Sequence, residues 1–352
     1  MKRLTYISKF SRPLSPKEVE EIGQVSRRNN QRDGITGVLL CSGGIFFQIL
    51  EGEAEKIDNL YKKILKDDRH TDILCLKSEL NVRTRMFPDW SMQTIILDNN
   101  KDLLIKPIDS LLKTVTRSHR ILEKYTQSKI FAIISQGINP LSVRPVKAEK
   151  VILFGDIISF STFAEKLPVE EVVDLVNNYF SIATKIITRQ GGEVSKFIGD
   201  CIMAYFDGDR ADNAIQAGVE ILEELAILRN SVAPDSPLRF LYTGMGLAKG
   251  KVIEGNIGSA LKKEYTIIGD AVNVASRLEA LTRHLTYAMV FSVEVKNSAK
   301  KSWDFIKIDN YQVKGKSNPV EIYSINDEGV KKEQKLSAIA QEIRHFLNQF
   351  EG

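Results

Sequence analysis

Two apolar runs of this chain each break off at an aspartate. They are VILFGD, ending at Asp156, and KFIGD, ending at Asp200. A carboxylate at the end of a buried strand is costly unless it meets a cation. A third segment, YTIIGDAVNVASRLEAL (265–281), reads as strand, turn and helix, and carries Asn273 and Arg277. Two carboxylates with an arginine and a nearby lysine point to a divalent-metal site that handles phosphate.

The 352 residues are enough for two or three domains. With 43% hydrophobic and 27% charged residues, the composition is that of soluble globular protein. A net charge of +4 gives no reason to expect nucleic acid or an anionic membrane as partner. The longest apolar run, LLCSGGIFFQIL (39–50), is too short to span a bilayer. The N-terminus lacks the apolar core of a signal peptide, so a cytoplasmic location is expected. Cys41, Cys75 and Cys201 are isolated and form no CxxC pair, which reads as reduced thiols rather than a zinc site.

Residues 1–97 read as a small α/β unit. LTYIS (4–8) is a strand, and Ser15-Pro16-Lys17-Glu18 is a capping box with proline at the first helical position. The following helix stops before Asp33-Gly34. TGVLLCSGGIFFQILEG (36–52) reads as a hairpin turning at Ser42-Gly43-Gly44. A helix over about 54–66 and strands at 73–80 and 90–97 complete a β-α-β-β-α-β-β order, the ferredoxin-like pattern. Residues 98–149 read as a linker containing one long helix, about 103–136. In that helix Ile108, Val115 and Leu122 recur in steps of seven, with Leu111 and Tyr125 at d-like positions and Ser118 breaking the series. This predicts a short coiled-coil seam; an ordinary helix packed on its own domain is the alternative.

Residues 150–326 read as a second α/β unit, followed by a tail, 327–352, with the pattern of an amphipathic helix. The expected elements are helices at about 168–190, 211–230 and 271–283 and a hairpin at 193–206. Strands at 239–248, 250–257, 264–268, 290–292 and 320–325 complete the unit, the first two paired as a hairpin. Gly199 permits a tight turn that projects the Asp200 carboxylate from the hairpin tip. Two such aspartates can bridge hard cations about 4 Å apart. Either one alone reads as a solvated turn residue; their combination carries the argument. Asn273 and Arg277, four apart on a helix, share a face. An arginine there can present a bidentate fork to a phosphoryl group.

FGDIISF, KFIGD and YTIIGDAVNVASR, in this order and spacing, resemble the signature segments of class III nucleotide cyclases. The resemblance implies a homodimer with sites built across its interface. Asp156 and Asp200 would hold Mg²⁺ or Mn²⁺ from one chain. Lys196, Thr266, Asn273 and Arg277 would come from the partner, and Lys314 would bind the triphosphate. Ser159 departs from the family, which often has glycine there. Lys196 donates to adenine N1 and Thr266 can accept from N6; guanine presents the reverse pattern. ATP is the expected substrate, with cyclic AMP and pyrophosphate as products. A guanylyl cyclase is the alternative.

Three polar residues in the first unit stand where apolar ones are expected: Tyr6, Asn30 and Gln48. Buried polar groups need partners, from one another or from a bound polar ring. Together with Trp90 and Met92 they resemble the residue set of blue-light-sensing flavin (BLUF) domains. The resemblance implies FMN or FAD held non-covalently between the two helices. Asn30 would hold the flavin's polar edge, and Gln48 would bridge Tyr6 and the ring. Light would draw an electron and a proton from Tyr6, with Trp90 and Met92 responding; Arg69 and His70 would lie near. The whole chain resembles the photoactivated adenylyl cyclases. The expected fold is α+β, two ferredoxin-like α/β domains joined by a long coiled-coil-like helix. A flavin-binding regulator with a silent cyclase-like half is the reading from a different class.

Overall fold

A computed structural model describes residues 1–97, 105–135, 138–311, 319–332 and 335–348. The chain forms two compact units, Met1–Val143 and a second beginning at Arg144.

The first unit contains β1 (Lys2–Phe10), α1 (Pro16–Asp33), β2 (Thr36–Ser42), β3 (Ile45–Gly52), α2 (Ala54–Ile64), β4 (His70–Glu79) and β5 (Gln93–Ile96). Helices α3 (Ile105–Tyr125) and α4 (Ser128–Ser135) follow. The sheet order is β4-β1-β3-β2-β5, with β2 and β5 parallel. The capping box forms as read: Glu18 N–H donates to Ser15 Oγ at 3.3 Å, and Ser15 N–H donates to the Glu18 carboxylate at 2.8 Å. Gly34, in left-handed geometry at φ 68°, ends α1. Leu4, Tyr6, Val19, Phe46, Leu50 and Ile57 make the core under α1 and α2.

The expected single helix over 103–136 is broken. It divides after Tyr125 into α3 and α4, with no proline or glycine at the break. Tertiary packing accounts for the break. Ile7, Ile45, Leu74 and Leu97 form a second apolar cluster, and Ile134 of α4 covers it. Along α3, Leu111, Leu122 and Tyr125 are exposed; the Ile108 side chain lies outside the described part.

The second unit runs β6 (Val146–Ile157), α5 (Phe160–Lys166), α6 (Val169–Arg189), β7 (Glu193–Ile198), β8 (Cys201–Asp207), α7 (Ala211–Ser231), β9 (Thr243–Gly258) and β10 (Lys263–Ile268). It continues with α8 (Asp270–Leu281), β11 (Met289–Ser292), α9 (Val293–Ser298), β12 (Phe305–Tyr311), β13 (Val320–Ile325) and α10 (Leu336–Leu347). The sheet order is β12-β13-β11-β9-β6-β8-β7, and β10 pairs with the outer half of β9.

Two departures from the sequence reading are physical in origin. The expected turn at Gly250 does not exist; β9 runs straight through it. A Cβ at Gly250 would meet the Ala271 Cβ at 3.0 Å, and one at Gly246 would stand 2.1 Å from the Glu279 backbone nitrogen. These glycines let α8 lie directly on β9 rather than bend the chain. The tail beyond 326 is part of this unit's core: Leu336, Ile339, Ile343 and Leu347 of α10 are buried in its main apolar cluster.

Candidate active site and flavin cradle

Asp156 stands at the end of β6, where its backbone is held from β9. Thr243 Oγ1 donates to the Asp156 carbonyl at 2.8 Å and lies 3.0 Å from the Tyr179 hydroxyl. That hydroxyl explains Gly155: a Cβ there would approach it to 2.6 Å. Gly199 supplies φ 64° at the β7–β8 turn, which sets Asp200 at the tip. Burial, then hydrogen bonding to and repulsion by Asp156, push the Asp200 carboxyl up to about 7. Arg283 pairs with Asp156 at 2.5 Å. Glu279 is a third carboxylate that the sequence reading missed. It is buried, its Oε1 lacks a hydrogen-bond partner, and Arg283 stands 3.8 Å away. Burial, then Asp156, raise Glu279 to about 8.

Asp156 and Asp200 line a cleft of about 400 Å³ with Ile157–Ser161, Arg283, His284 and four residues of α10 named below. Among the described residues no group of three or more His, Cys, Asp or Glu is placed to hold a metal ion. A carboxylate pair fits magnesium, which is commonly held by one or two carboxylates plus substrate phosphates. The mutual repulsion of the pair favours a cation between them. Ser159, where glycine is often found in the resembling segments, adopts left-handed backbone at φ 61°, at a cost of about 1 kcal/mol for a non-glycine residue.

Lys196 and Thr266 are brought together elsewhere on the unit. The β7–β8 register slips between Val194 and Lys196, so Ser195 and Lys196 share one position opposite β8. Such a bulge re-aims a side chain. Ser195 Oγ lies 3.5 Å from Thr266 Oγ1, and Lys196 Nζ pairs with Glu264 at 2.6 Å. Below them is a buried network the sequence did not disclose. Glu254 accepts from the Tyr205 and Tyr265 hydroxyls, each at 3.3 Å, and pairs with Lys150 at 3.1 Å. It ties β6, β8, β9 and β10 together beneath the two residues. Asn273 is exposed and Arg277 half-buried on α8, four residues apart as read. None of these four lines the cleft of Asp156 and Asp200. Lys314 lies outside the described residues.

In the first unit, Tyr6 and Gln48 are direct cross-strand partners on β1 and β3. The Tyr6 hydroxyl donates to Gln48 Oε1, and Gln48 Nε2 lies 3.3 Å from Met92 Sδ. Burial raises Tyr6 far above an ordinary phenol, so it stays a proton donor. Asn30 is buried on α1 and donates to the Ser91 carbonyl at 2.9 Å. The His70 ring is tilted against Phe46, with centroids 4.7 Å apart, and lies 6.4 Å from the Tyr6 ring, while Arg69 pairs with Asp67. Trp90 departs from expectation. Strand β5 begins only at Gln93, and the Trp90 ring is 40% exposed and stacked on Phe87 at 5.1 Å. Met92, not Trp90, touches Gln48. Thr94 Oγ1 is a buried hydroxyl without a partner, facing α1. Two buried carboxamides and an orphaned hydroxyl fit the mixed donor and acceptor edge of a flavin.

Residues 1–93 match the family of sensors of blue-light using FAD, or BLUF. Residues 144–327 match the adenylate and guanylate cyclase catalytic domain. The chain belongs to the BLUF-coupled class III nucleotide cyclases. It is 55% identical to a bacterial light-regulated adenylyl cyclase of known structure, covering 99% of this chain and 100% of that one at a TM-score of 0.89. It is 33% identical over 296 residues to the photoactivated adenylate cyclase subunit beta of Euglena gracilis, and 34% identical over 297 residues to subunit alpha. Each alignment covers 83% of this chain but only 34% and 29% of the two relatives, so the chain spans about a third of their length.

Within a BLUF-coupled cyclase the missed residues take on meaning. Glu51 is fully buried, pairs with Arg3 at 2.7 Å and accepts from the Met86 and Phe87 N–H groups. It pins the segment that leads to Met92. A lone buried glutamate in an apolar strand was its only signal in the sequence. No helix of the described residues is long and apolar enough to cross a membrane.

Proposed function

We propose that this chain is a blue-light-activated adenylyl cyclase that converts ATP to cyclic AMP and pyrophosphate at sites shared across a homodimer. The observation that carries this reading is the division of the functional residues. Asp156 and Asp200 line one cleft, and Lys196 and Thr266 gather outside it. A site needing all four is completed by a second copy. Residues 1–97 form the sensor, 98–149 the linker and 150–326 the cyclase domain, which α10 completes.

In the joined site Lys196 donates to adenine N1, and Thr266 accepts from the N6 amino group. Asn273 orients the ribose. Its 3′-oxygen attacks the α-phosphorus in line as the bond to the bridging oxygen breaks and pyrophosphate leaves. Arg277 meets the charge that develops on the phosphoryl oxygens, and Lys314 holds the triphosphate. Asp156 and Asp200 would hold magnesium or manganese, which when bound would supply positive charge to the reacting phosphate. Alignment of the two half-sites sets the rate, because positioning dominates phosphoryl transfer.

Asn30, Gln48 and Thr94 would receive a flavin, FMN or FAD, which when bound supplies a light-excited electron acceptor. Tyr6 would give up an electron to that acceptor and its hydroxyl proton by way of Gln48 to the same ring, and Gln48 would rearrange its hydrogen bonds to Tyr6 and Met92. So small a change acts only by biasing a bistable element. Helix α3, with Leu111, Leu122 and Tyr125 exposed, is the element proposed to pair across the dimer.

The test is to purify the full chain, record its visible spectrum and assay cyclic AMP from MgATP in darkness and blue light. Yellow protein with light-dependent cyclic AMP supports the reading. Yellow protein that makes no cyclic nucleotide would instead identify a silent regulator, and cyclic GMP from GTP a guanylyl cyclase.

A further inference from the structure

The C-terminal helix reaches the cleft of the two aspartates. Leu336, Ile339, Ile343 and Leu347 bury one face of α10 in the core. Ser337, Ala340 and Arg344, spaced at i, i+3 and i+7, present the adjoining face to the cleft. The helix is therefore a fixed mount for Arg344.

The charges of the cleft leave this guanidinium uncommitted. Arg283, the other arginine lining it, is engaged by Asp156 at 2.5 Å. Arg344 Nε reaches only the carbonyl of Ala340 on its own helix, at 3.4 Å. Its two Nη groups have no partner among the described residues. If ATP is the substrate, its triphosphate enters here, since Asp156 and Asp200 hold the metal that phosphate oxygens share. A planar fork on a rigid mount suits two oxygens of a terminal phosphate.

We infer that Arg344 is a phosphate-binding residue of the active site, contacting the pyrophosphate portion of ATP and the pyrophosphate product. This rests on the adenylyl cyclase reading. It assigns the tail a part in substrate binding, supplied by the same chain as the metal aspartates.

The test uses the full chain with Arg344→Ala and Arg344→Lys. Both substitutions are exposed and keep good helix formers, so α10 is retained. Pyrophosphate binding in the presence of magnesium, measured by calorimetry, should weaken about tenfold in Arg344→Ala, the size of one charge-assisted hydrogen bond. The KM for ATP in blue light should rise in parallel, and Arg344→Lys should recover part of both. Binding of adenosine, which has no phosphate, should be unchanged. Unaltered pyrophosphate affinity in Arg344→Ala would overturn the inference. So would equal losses for adenosine and pyrophosphate, which mark a structural role. Wild-type protein that makes no cyclic AMP would refute the enzymatic reading, while the pyrophosphate comparison would still decide the role of Arg344.

Discussion

At Gln48 one carboxamide serves two partners, accepting from Tyr6 and pointing its amino group at Met92. A buried carboxamide so placed has few ways to satisfy both ends, and reversal of it changes the neighbours of Met92. Tyr6→Phe removes the only acidic proton of the trio. The variant should still bind flavin, and its light-to-dark activity ratio should fall to about one, because nothing then biases the switch. A second residue-scale prediction concerns Asp200. Its carboxyl is raised from 3.8 to about 7 in the folded chain. A raised acid binds more protons folded than unfolded, so its contribution to stability is present below the unfolded pKa and lost as pH rises to about 7. Without divalent metal, Asp200→Asn should match wild type in thermal midpoint near pH 4 and exceed it progressively towards pH 7. A constant difference across that range would contradict the assignment. Tyr6 and Gln48 were legible because each interrupts an apolar run, and Asn30 because it continues the α1 face that carries Val19 and Ile22. Glu279 and Glu254 were not, because each is buried only by tertiary contacts.

Among the elements, α8 on β9 is the contact that most constrains the catalytic geometry. It carries Asn273 and Arg277; Gly246 and Gly250 of β9 admit it, and Gly244 admits Thr282 just past its end. At Gly244 a Cβ would stand 2.1 Å from Thr282 Oγ1, and at Gly246 it would meet α8 backbone on two sides. Gly246→Ala should therefore destabilise the chain by about 3 kcal/mol, lowering the thermal midpoint by roughly 10 °C. Cyclase activity should fall at temperatures where the variant is still folded, because α8 is displaced. The element order of the first unit was readable from periodicity and capping, and the Ser15–Glu18 box formed as spelled; in the second unit α5, α9 and β12 were missed and β9 was read as two strands. Glycine misled where its purpose was close packing: Gly250 reads as a turn in sequence but is a contact with Ala271 in space. The long helix misled for a related reason. Its heptad spacing is local information, whereas the break after Tyr125 follows the apolar surface that Ile134 covers.

For the whole molecule, the central claim is that each chain holds half of each active site. Asp200 and Lys196 share the β7–β8 hairpin, yet Asp200 lines the cleft with Asp156 while Lys196 and Ser195 gather beside Glu264 and Thr266. Light sensed in one unit can then control chemistry by shifting how two copies meet, without rebuilding any residue of the site. The resemblance read from the sequence already assigned the two sets of residues to opposite chains of a dimer, and within one chain the fold holds them apart. The most direct measurement is complementation between two disabled chains. Asp156→Asn removes a proposed metal ligand and Arg277→Ala the proposed phosphoryl donor, so each homodimer should lose activity about a hundredfold or more. Mixed dimers formed by co-expression carry one intact site. At random assembly the preparation should regain about a quarter of the wild-type light-driven rate of cyclic AMP formation, since half the dimers are mixed and each has one of two sites. No recovery above the two separate variants, in dimers shown to be mixed, would contradict the account.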